Sequence, residues 1–262
     1  MAIKVAFLGV GRMGQAAIRA VLESKDLQIV AAFDTANIGQ YVGALGAGQE
    51  TGIKIDDPSN LKEILDKTKT DVVVDFTTAK ACVQNSKTVG ELGIPMVVGT
   101  TGFTENQIQK LKYNLSNTGL VLSPNMSVGV NVFWQLVGEA ASKLPDYDIE
   151  VIETHHRFKK DAPSGTAKKA VEVIKDAVGE IKPVNGRSGD SLRQKGDVGI
   201  HSIRAGDIVG EHTVMFSSIG ERFEIKHIAH SRDSFASGIP QAIRFIKDQK
   251  GFFDMWDVLE LR

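Results

Sequence analysis

The sequence contains a single cysteine, almost no net charge and no long apolar run, and each of these shortages excludes a class of protein. Cys82 has no partner for an internal disulfide, so we interpret it as a small buried hydrophobe in a reducing compartment. The 31 Lys and Arg residues nearly balance the 32 Asp and Glu residues, which gives no electrostatic reason to expect a nucleic acid partner. No run reaches about 18 apolar residues, so we expect no membrane span. Because a strand pattern begins at once, without a basic leader, we expect a cytoplasmic protein.

The N-terminal half predicts a parallel sheet. Over residues 1–126, short apolar strand patterns alternate with helical patterns, which indicates βαβ units and the α/β fold class. The predicted strands span 3–8, 28–33, 71–76, 96–98 and 120–122, and a glycine-rich connection spans 39–52. Capping boxes at Asn60 and Thr104 predict two of the helix starts.

After residue 126 the order of predicted helices and strands changes, which indicates a second, α+β domain with an open mixed sheet. Two predicted helices, 128–142 and 166–178, flank a strand over 147–153. Three strand patterns then follow without intervening helices, over 198–204, 212–217 and 222–230. We therefore expect domain boundaries at 1–126 and 127–238, with a C-terminal helix over 239–262 that returns to the first domain.

The first strand leads into a glycine motif that is typical of dinucleotide binding. Gly9, Gly11 and Gly14 have the spacing Gly-x-Gly-x-x-Gly and stand between a strand and a helix. The first allows a tight turn, the second lets a pyrophosphate approach the backbone, and the third allows close packing of helix on strand. Asp34 ends the next strand, where an acid can accept hydrogen bonds from ribose hydroxyls. The alternative is an ordinary turn whose glycines serve packing only.

The charges near Asp34 predict which cofactor is preferred. A 2′-phosphate needs a cation beside the second strand, but Thr35 is neutral and no Lys or Arg occurs between Asp34 and Lys54. Arg12, inside the glycine loop, is the one nearby cation. We therefore expect NADH to be preferred and NADPH to be tolerated through Arg12.

Two further loops follow predicted strands and are candidates for contacts with the nicotinamide side of the cofactor. Ligands of doubly wound sheets bind beyond the carboxyl ends of the strands. Plain turns are the alternative for both loops. The candidate residues are Gly99, Thr100, Thr101, Ser123, Pro124, Asn125 and Met126.

The densest polar segment, residues 153–167, predicts a small cationic site for an acidic substrate. His155 or His156 can exchange a proton near neutral pH, and Lys159 supplies a positive charge or a proton. Ser164, Gly165 and Thr166 open a helix, and their hydroxyls and free N–H groups suit a carboxylate. A solvated basic face followed by an ordinary helix cap is the alternative, and we expect no metal.

This segment reads Glu-x-His-His-x-x-Lys-x-Asp-Ala-Pro-Ser-Gly-Thr-Ala and resembles the 4-hydroxy-tetrahydrodipicolinate reductases, also called dihydrodipicolinate reductases, of bacterial lysine biosynthesis. Other matching motifs lie at 11–14, 99–103, 125–131, 204–212 and 230–238. The resemblance implies an N-terminal Rossmann domain and a C-terminal domain that binds the substrate and forms a homotetramer. It also implies NADH- or NADPH-dependent reduction of 4-hydroxy-tetrahydrodipicolinate, a cyclic dicarboxylate, to tetrahydrodipicolinate in the diaminopimelate route.

The same resemblance implies residue roles by position. His155 matches a proton donor or acceptor and Lys159 a proton donor, while His156, Gly165 and Thr166 match substrate contacts. The matched cofactor contacts are Gly9, Val10, Gly11, Arg12, Met13, Asp34, Gly99 to Thr101 and Ser123 to Met126. The sequence departs from the family at Thr35, where many members carry Arg, at Met126, where many carry Phe, and at Lys160, which is often apolar. The rival interpretations are another two-domain nicotinamide dehydrogenase and a non-catalytic dinucleotide sensor.

Overall fold

The computed structural model describes residues 1–46 and 51–262, which form two compact units. One unit contains Met1–Val128 together with Phe235–Arg262, and the other contains Gly129–Ser234. Residues 47–50 of the predicted glycine-rich connection lie outside the described residues. Within the described ranges, no helix combines the length and apolar character needed to cross a membrane.

The elements are numbered in chain order. The strands are β1 (Ile3–Leu8), β2 (Leu27–Phe33), β3 (Ile55–Asp56), β4 (Val72–Asp75), β5 (Met96–Val98), β6 (Gly119–Leu122), β7 (Asp148–His155), β8 (Lys182–Asn185), β9 (Asp197–Arg204), β10 (Gly210–Ser218), β11 (Glu221–Ala229) and β12 (Gly251–Phe253). The α-helices are α1 (Arg12–Leu22), α2 (Val42–Gly46), α3 (Leu61–Thr68), α4 (Ala79–Glu91), α5 (Glu105–Asn114), α6 (Val128–Lys143), α7 (Gly165–Val178), α8 (Ile239–Ile246) and α9 (Met255–Val258). Pro58–Asn60 and Arg232–Ala236 form 3-10 turns.

The first unit is built on a parallel sheet with the strand order β12-β6-β5-β4-β1-β2-β3. Side chains of a strand alternate between the two faces, so Val5 and Phe7 of β1 join one apolar core while Ala6 and Leu8 join the other. Helices α1 and α8 contribute to the first core, and α3, α4 and α5 contribute to the second. Because both faces are covered, the strands are apolar throughout, as the sequence predicts. Cys82 is fully buried in the second core, which confirms its interpretation as a core residue.

The second unit has a mixed sheet with the order β11-β10-β7-β9-β8. Strand β10 runs antiparallel to β7 and β11, while β9 runs parallel to β7 and β8. Helices α6 and α7 pack on one face, where Phe133 contacts the rings of His212 and His227. The opposite face carries Ile203 and Ile228, which are 45% and 43% exposed.

The predicted fold class is confirmed, but three local predictions are wrong. Asn60 makes no side-chain cap, because the preceding 3-10 turn is capped by Asp57, whose Oδ1 accepts a hydrogen bond from Ser59 N–H. The segment 239–262 is not one helix: it contains α8, the strand β12 and α9, which begins at the cap of Asp254. Strand β7 continues past Glu153 to His155, since it pairs with β9 as far as Arg204. The short strands β3, β8 and β12 were not predicted.

Candidate active site

The glycine loop leaves an open space at the start of α1. Gly9 has φ of +86°, and a Cβ there would lie 2.6 Å from the Phe76 carbonyl oxygen. A Cβ at Gly14 would lie 2.0 Å from the Gly9 carbonyl oxygen, so both glycines are required by the protein's own packing. A Cβ at Gly11 would meet nothing within 4 Å, so packing does not require this glycine. The room beside Gly11, at the positive end of α1, fits a pyrophosphate.

Asp34 follows β2 and lies beside this loop. Its Oδ2 accepts a hydrogen bond from Val10 N–H at 2.5 Å, and its Oδ1 accepts one from Ala36 N–H at 2.9 Å. Each carboxylate oxygen has a second lone pair, so both can still accept from a ribose hydroxyl. Arg12 and Thr35 are exposed. The residues present therefore fit the ribose and pyrophosphate of a dinucleotide.

Asp75, at the end of β4, connects two of the loops at the same edge of the sheet. Its Oδ1 accepts hydrogen bonds from Thr100 Oγ1 at 2.7 Å and from Thr77 N and Oγ1 at 3.0 and 2.8 Å. Burial raises the pKa of Asp75 above its usual range, and these hydrogen bonds offset part of the effect. Sequence reasoning did not single out Asp75, although an acid that ends an apolar strand is a usable signal.

The remaining candidate cofactor residues take different positions after β5 and β6. A Cβ at Gly99 would overlap the Phe76 ring at 2.2 Å, so this glycine serves packing, and the Thr100 side chain is buried against Asp75. Ser123 Oγ donates to the Asn125 carbonyl oxygen at 2.9 Å, and the Met126 side chain lies in the core. Thr101 and Pro124 are exposed. The first unit thus places the glycine loop and the loops after β5 and β6 at the carboxyl ends of parallel strands of one sheet, where dinucleotides bind in such sheets.

The second unit contains a buried cluster around Glu153, on β7. The Glu153 side chain is fully buried and accepts two hydrogen bonds from the Arg204 guanidinium, at 2.8 and 2.9 Å. Its Oε2 also lies 2.5 Å from His155 Nδ1. Burial would raise the pKa of Glu153, but hydrogen bonds from Arg204, Ser202 and His155 outweigh it and lower the pKa to about 2. Burial lowers the pKa of His155, and Glu153 offsets part of this effect.

The start of α7 lies against the same cluster. Ser164 N–H donates to Glu153 Oε1 at 3.1 Å, and Ser164 Oγ caps the helix by accepting from Ala167 N–H. The same hydroxyl is 3.1 Å from His212 Nε2. Burial is the main reason why the pKa of His212 falls to about 3, so His212 is neutral near neutral pH. A Cβ at Gly165 would meet nothing within 4 Å, which leaves the helix start open.

Lys159 and His156 precede this helix start in sequence. The Lys159 ammonium forms an ion pair with Asp161 at 2.9 Å, and the Lys159 side chain is 22% exposed, whereas Lys160 is exposed. The buried nitrogens that lack a hydrogen-bond partner among the described residues include His156 Nδ1, Arg204 Nε and His212 Nδ1. Sequence reasoning missed Arg204 and His212 as members of the cluster, because β9 and β10 bring them to β7 from about 50 residues away. Among residues 1–46 and 51–262, no group of three or more His, Cys, Asp or Glu side chains could hold a metal ion.

The parallel sheet, its glycine loop and the polar cluster define a nicotinamide-dinucleotide-dependent oxidoreductase. Two family models match the chain: the dihydrodipicolinate reductase N-terminus over residues 3–126 and the dihydrodipicolinate reductase C-terminus over residues 129–259. The chain belongs to the dihydrodipicolinate reductase family.

Full-length relatives agree with this assignment. The chain is 47% identical to a 4-hydroxy-tetrahydrodipicolinate reductase from Methanothermobacter thermautotrophicus, with 98% of each chain covered. It is also 47% identical to an enzyme of the same name from Methanosarcina barkeri, covering 99% of this chain and all of the relative. A solved dihydrodipicolinate reductase from Paenisporosarcina sp. TG-14, with dipicolinate bound, superposes with a TM-score of 0.80 at 28% identity, covering 97% of this chain and 98% of the other.

Proposed function

We propose that this chain reduces 4-hydroxy-tetrahydrodipicolinate to tetrahydrodipicolinate with a reduced nicotinamide dinucleotide, in the diaminopimelate route of lysine biosynthesis. The observation that carries the proposal is the cluster of Glu153, His155 and Arg204 against an open helix start. The names of the full-length relatives support the same substrate. The sequence identity of 47% to these relatives, over nearly the whole chain, also disfavours both rival interpretations, a different dehydrogenase and a non-catalytic sensor.

The helix start and its neighbours are proposed to bind the substrate. N–H groups at Gly165 and Thr166, with the Ser164 and Thr166 hydroxyls, suit one carboxylate at the positive end of α7. His156 carries a buried, unpartnered Nδ1 among the described residues, which suits a polar contact with the ring. The Lys159 ammonium adds positive charge beside this start.

The proton is proposed to come from Lys159. Overall, the conversion adds one hydride and one proton and releases the 4-hydroxyl group as water, and the bound dinucleotide supplies the hydride. Lys159 Nζ holds a proton that it can donate to the ring, which would otherwise gain negative charge. The lowered pKa of His155 keeps its imidazole neutral near neutral pH, so His155 can accept a proton at Nε2 while Nδ1–H contacts Glu153.

NADH is proposed to be preferred over NADPH. The Asp34 carboxylate beside the glycine loop repels a 2′-phosphate, and Thr35 supplies no compensating charge. Arg12 is exposed at the start of α1, and its positive charge partly compensates for the missing cation when NADPH binds. A kcat/KM that is clearly higher with NADPH than with NADH would contradict this preference.

A homotetramer and a cytoplasmic location belong to the same proposal. The face of the second unit's sheet opposite α6 and α7 carries exposed Ile203 and Ile228, with Glu211 and Thr154 between them in the register, and burying exposed apolar side chains is a common reason for association. Light scattering that gives the mass of one 28.3 kDa chain would contradict the tetramer. The cytoplasm is the expected location because it holds the pool of reduced dinucleotide, and cell fractionation tests it.

The function is tested by following NADH absorbance after adding the condensation product of pyruvate and aspartate semialdehyde. Rapid loss of absorbance supports the reductase. Dinucleotide binding without turnover supports the sensor instead. Pyridine-2,6-dicarboxylate, the ligand of the solved relative, should inhibit in competition with the substrate.

A further inference from the structure

We propose that Glu153 is a positioning residue that holds His155 as the Nδ1–H tautomer and ties this imidazole to the start of α7. The proposal rests on the proposed function, in which His155 can accept a proton at Nε2. It adds to that function a residue that touches neither substrate nor cofactor.

The first argument is that His155 Nδ1 is already engaged in a hydrogen bond with Glu153. Glu153 Oε2 lies 2.5 Å from His155 Nδ1, and an ionised carboxylate can only accept a hydrogen bond. Nδ1 therefore carries the proton of the neutral ring, and Nε2 is left with its lone pair. Proton exchange is thus directed to one nitrogen.

The second argument is that Arg204 keeps Glu153 ionised. Two parallel hydrogen bonds from the guanidinium reach both carboxylate oxygens, which is the strongest geometry for this pair. The register of the sheet makes the arrangement possible, because Arg204 on β9 pairs with His155 on β7. A carboxylate with 0% exposure would otherwise tend to take up a proton.

The third argument is that Glu153 contacts two parts of the site at once. Its Oε1 accepts from Ser164 N–H at 3.1 Å, while its Oε2 holds the imidazole. The imidazole has little freedom to move away, since the His155 side chain is only 9% exposed and its ring packs edge-on against the His212 ring, with centroids 5.2 Å apart. One side chain therefore fixes the proton-exchanging ring relative to the helix start that is proposed to bind a carboxylate.

The tautomer can be measured directly in the wild-type protein. Solid-state NMR of protein labelled with 13C,15N-histidine distinguishes a protonated from an unprotonated ring nitrogen, and His155→Gln assigns the signal. At pH 8 we expect a proton on Nδ1 and none on Nε2. A proton on Nε2 would overturn the inference without any variant having to fold.

Glu153→Gln then tests the consequence for the reaction. We expect the Nδ1–H preference to disappear and kcat to fall by about 100-fold, at the lower end of what general acid–base catalysis contributes. The acid limb of the kcat profile should move to lower pH, because the anion that favours the imidazolium is gone. The other charged or titratable groups that face the ring are Arg204, His212 and Lys159, and they are unchanged. Glu153→Asp keeps the charge and should restore the position of the limb.

Glu150→Gln is the matched control. Glu150 lies on the same strand but on the opposite face, and its Oε2 is 2.7 Å from His201 Nε2. This variant should alter the His201 signals and leave those of His155 unchanged. If Glu153→Gln lowered kcat while the acid limb and the His155 tautomer stayed in place, Glu153 would be a structural residue and the inference would fail. An inactive wild type would contradict the proposed function, whereas an active wild type with the Nε2–H tautomer contradicts only this inference.

Discussion

Replacing Lys159 separates proton donation from substrate binding. Lys159→Ala removes the proposed acid, and general acid–base groups contribute about 100- to 10,000-fold, or about 2.7–5.4 kcal/mol of transition-state stabilisation. We therefore expect kcat to fall by at least about 100-fold and the KM for the dicarboxylate to rise much less. Stopped-flow or steady-state NADH absorbance with the condensed substrate measures both quantities.

The effect cannot come from unfolding, because Lys159 contributes little to stability. Its partner Asp161 is 55% exposed, and ion pairs of this kind are worth about 0.2–1 kcal/mol. The melting temperature should therefore fall by no more than about 4 °C. A large loss of kcat in a folded variant then reports on chemistry.

Two further variants decide between charge and proton transfer. Lys159→Arg keeps the positive charge but has a pKa too high for proton donation, so it should retain the KM for the substrate while kcat stays low. Lys160→Ala, next in sequence but exposed, should keep kcat within about threefold, as most surface substitutions do. The proton-donor role would be refuted if Lys159→Ala changed only the KM of the dinucleotide, or if Lys159→Arg had full activity.

Three other predictions concern binding and stability. Gly11→Ala should raise the dinucleotide Kd by about tenfold or more with little loss of stability, whereas Gly14→Ala should destabilise the fold, because its Cβ would lie 2.0 Å from a backbone oxygen. Fluorescence titration measures dinucleotide binding and urea unfolding measures stability. Unchanged dinucleotide binding in Gly11→Ala would contradict the assignment of the glycine loop. Thr100→Val removes a hydrogen bond to the buried Asp75 and should lower the free energy of unfolding by about 1–3 kcal/mol. An unchanged midpoint of urea unfolding would contradict this prediction. Because the folded pKa of His212 is about 3, below the 6.5 of an unfolded histidine, its contribution to stability is lost as pH falls from 6.5 towards 3. His212→Phe should weaken this pH dependence of the free energy of unfolding, while His230→Phe, at an exposed position, should keep it. Equal slopes of unfolding free energy against pH in the two variants would argue against a buried neutral imidazole.

The parts of the molecule that depend on local pattern could be predicted from the sequence. Strand β1 and the glycine loop follow from a short apolar run and from steric needs of neighbouring residues. The capping box of Thr104 with Gln107 is present as predicted, because both partners lie within one helical turn. Strand β8 was missed because its sequence, Lys-Pro-Val-Asn, is mostly polar and exposed.

The polar cluster depends on pairings that no local pattern contains. Glu153 was recognised only as part of a motif, since its partner Arg204 lies 51 residues away and meets it through the register of β7 with β9. Asn60 illustrates the reverse problem: the sequence offers a valid capping box, but Asp57 caps the preceding 3-10 turn. Local signals therefore locate the segments of the site, and sheet register decides which side chains meet.

The placement of β12 has a consequence for synthesis on the ribosome. Strand β12 pairs with β6, and Ile243 and Ile246 of α8 are fully buried in the first core, yet both elements follow the whole second unit in the chain. During synthesis, the edge strand β6 therefore stays unpaired and part of one apolar face of the N-terminal sheet stays uncovered. Both are covered only after more than a hundred further residues have emerged from the ribosome. A stalled or truncated product that ends before residue 239 would expose this surface, and such chains should bind chaperones or aggregate even though every strand around the glycine loop has already been made.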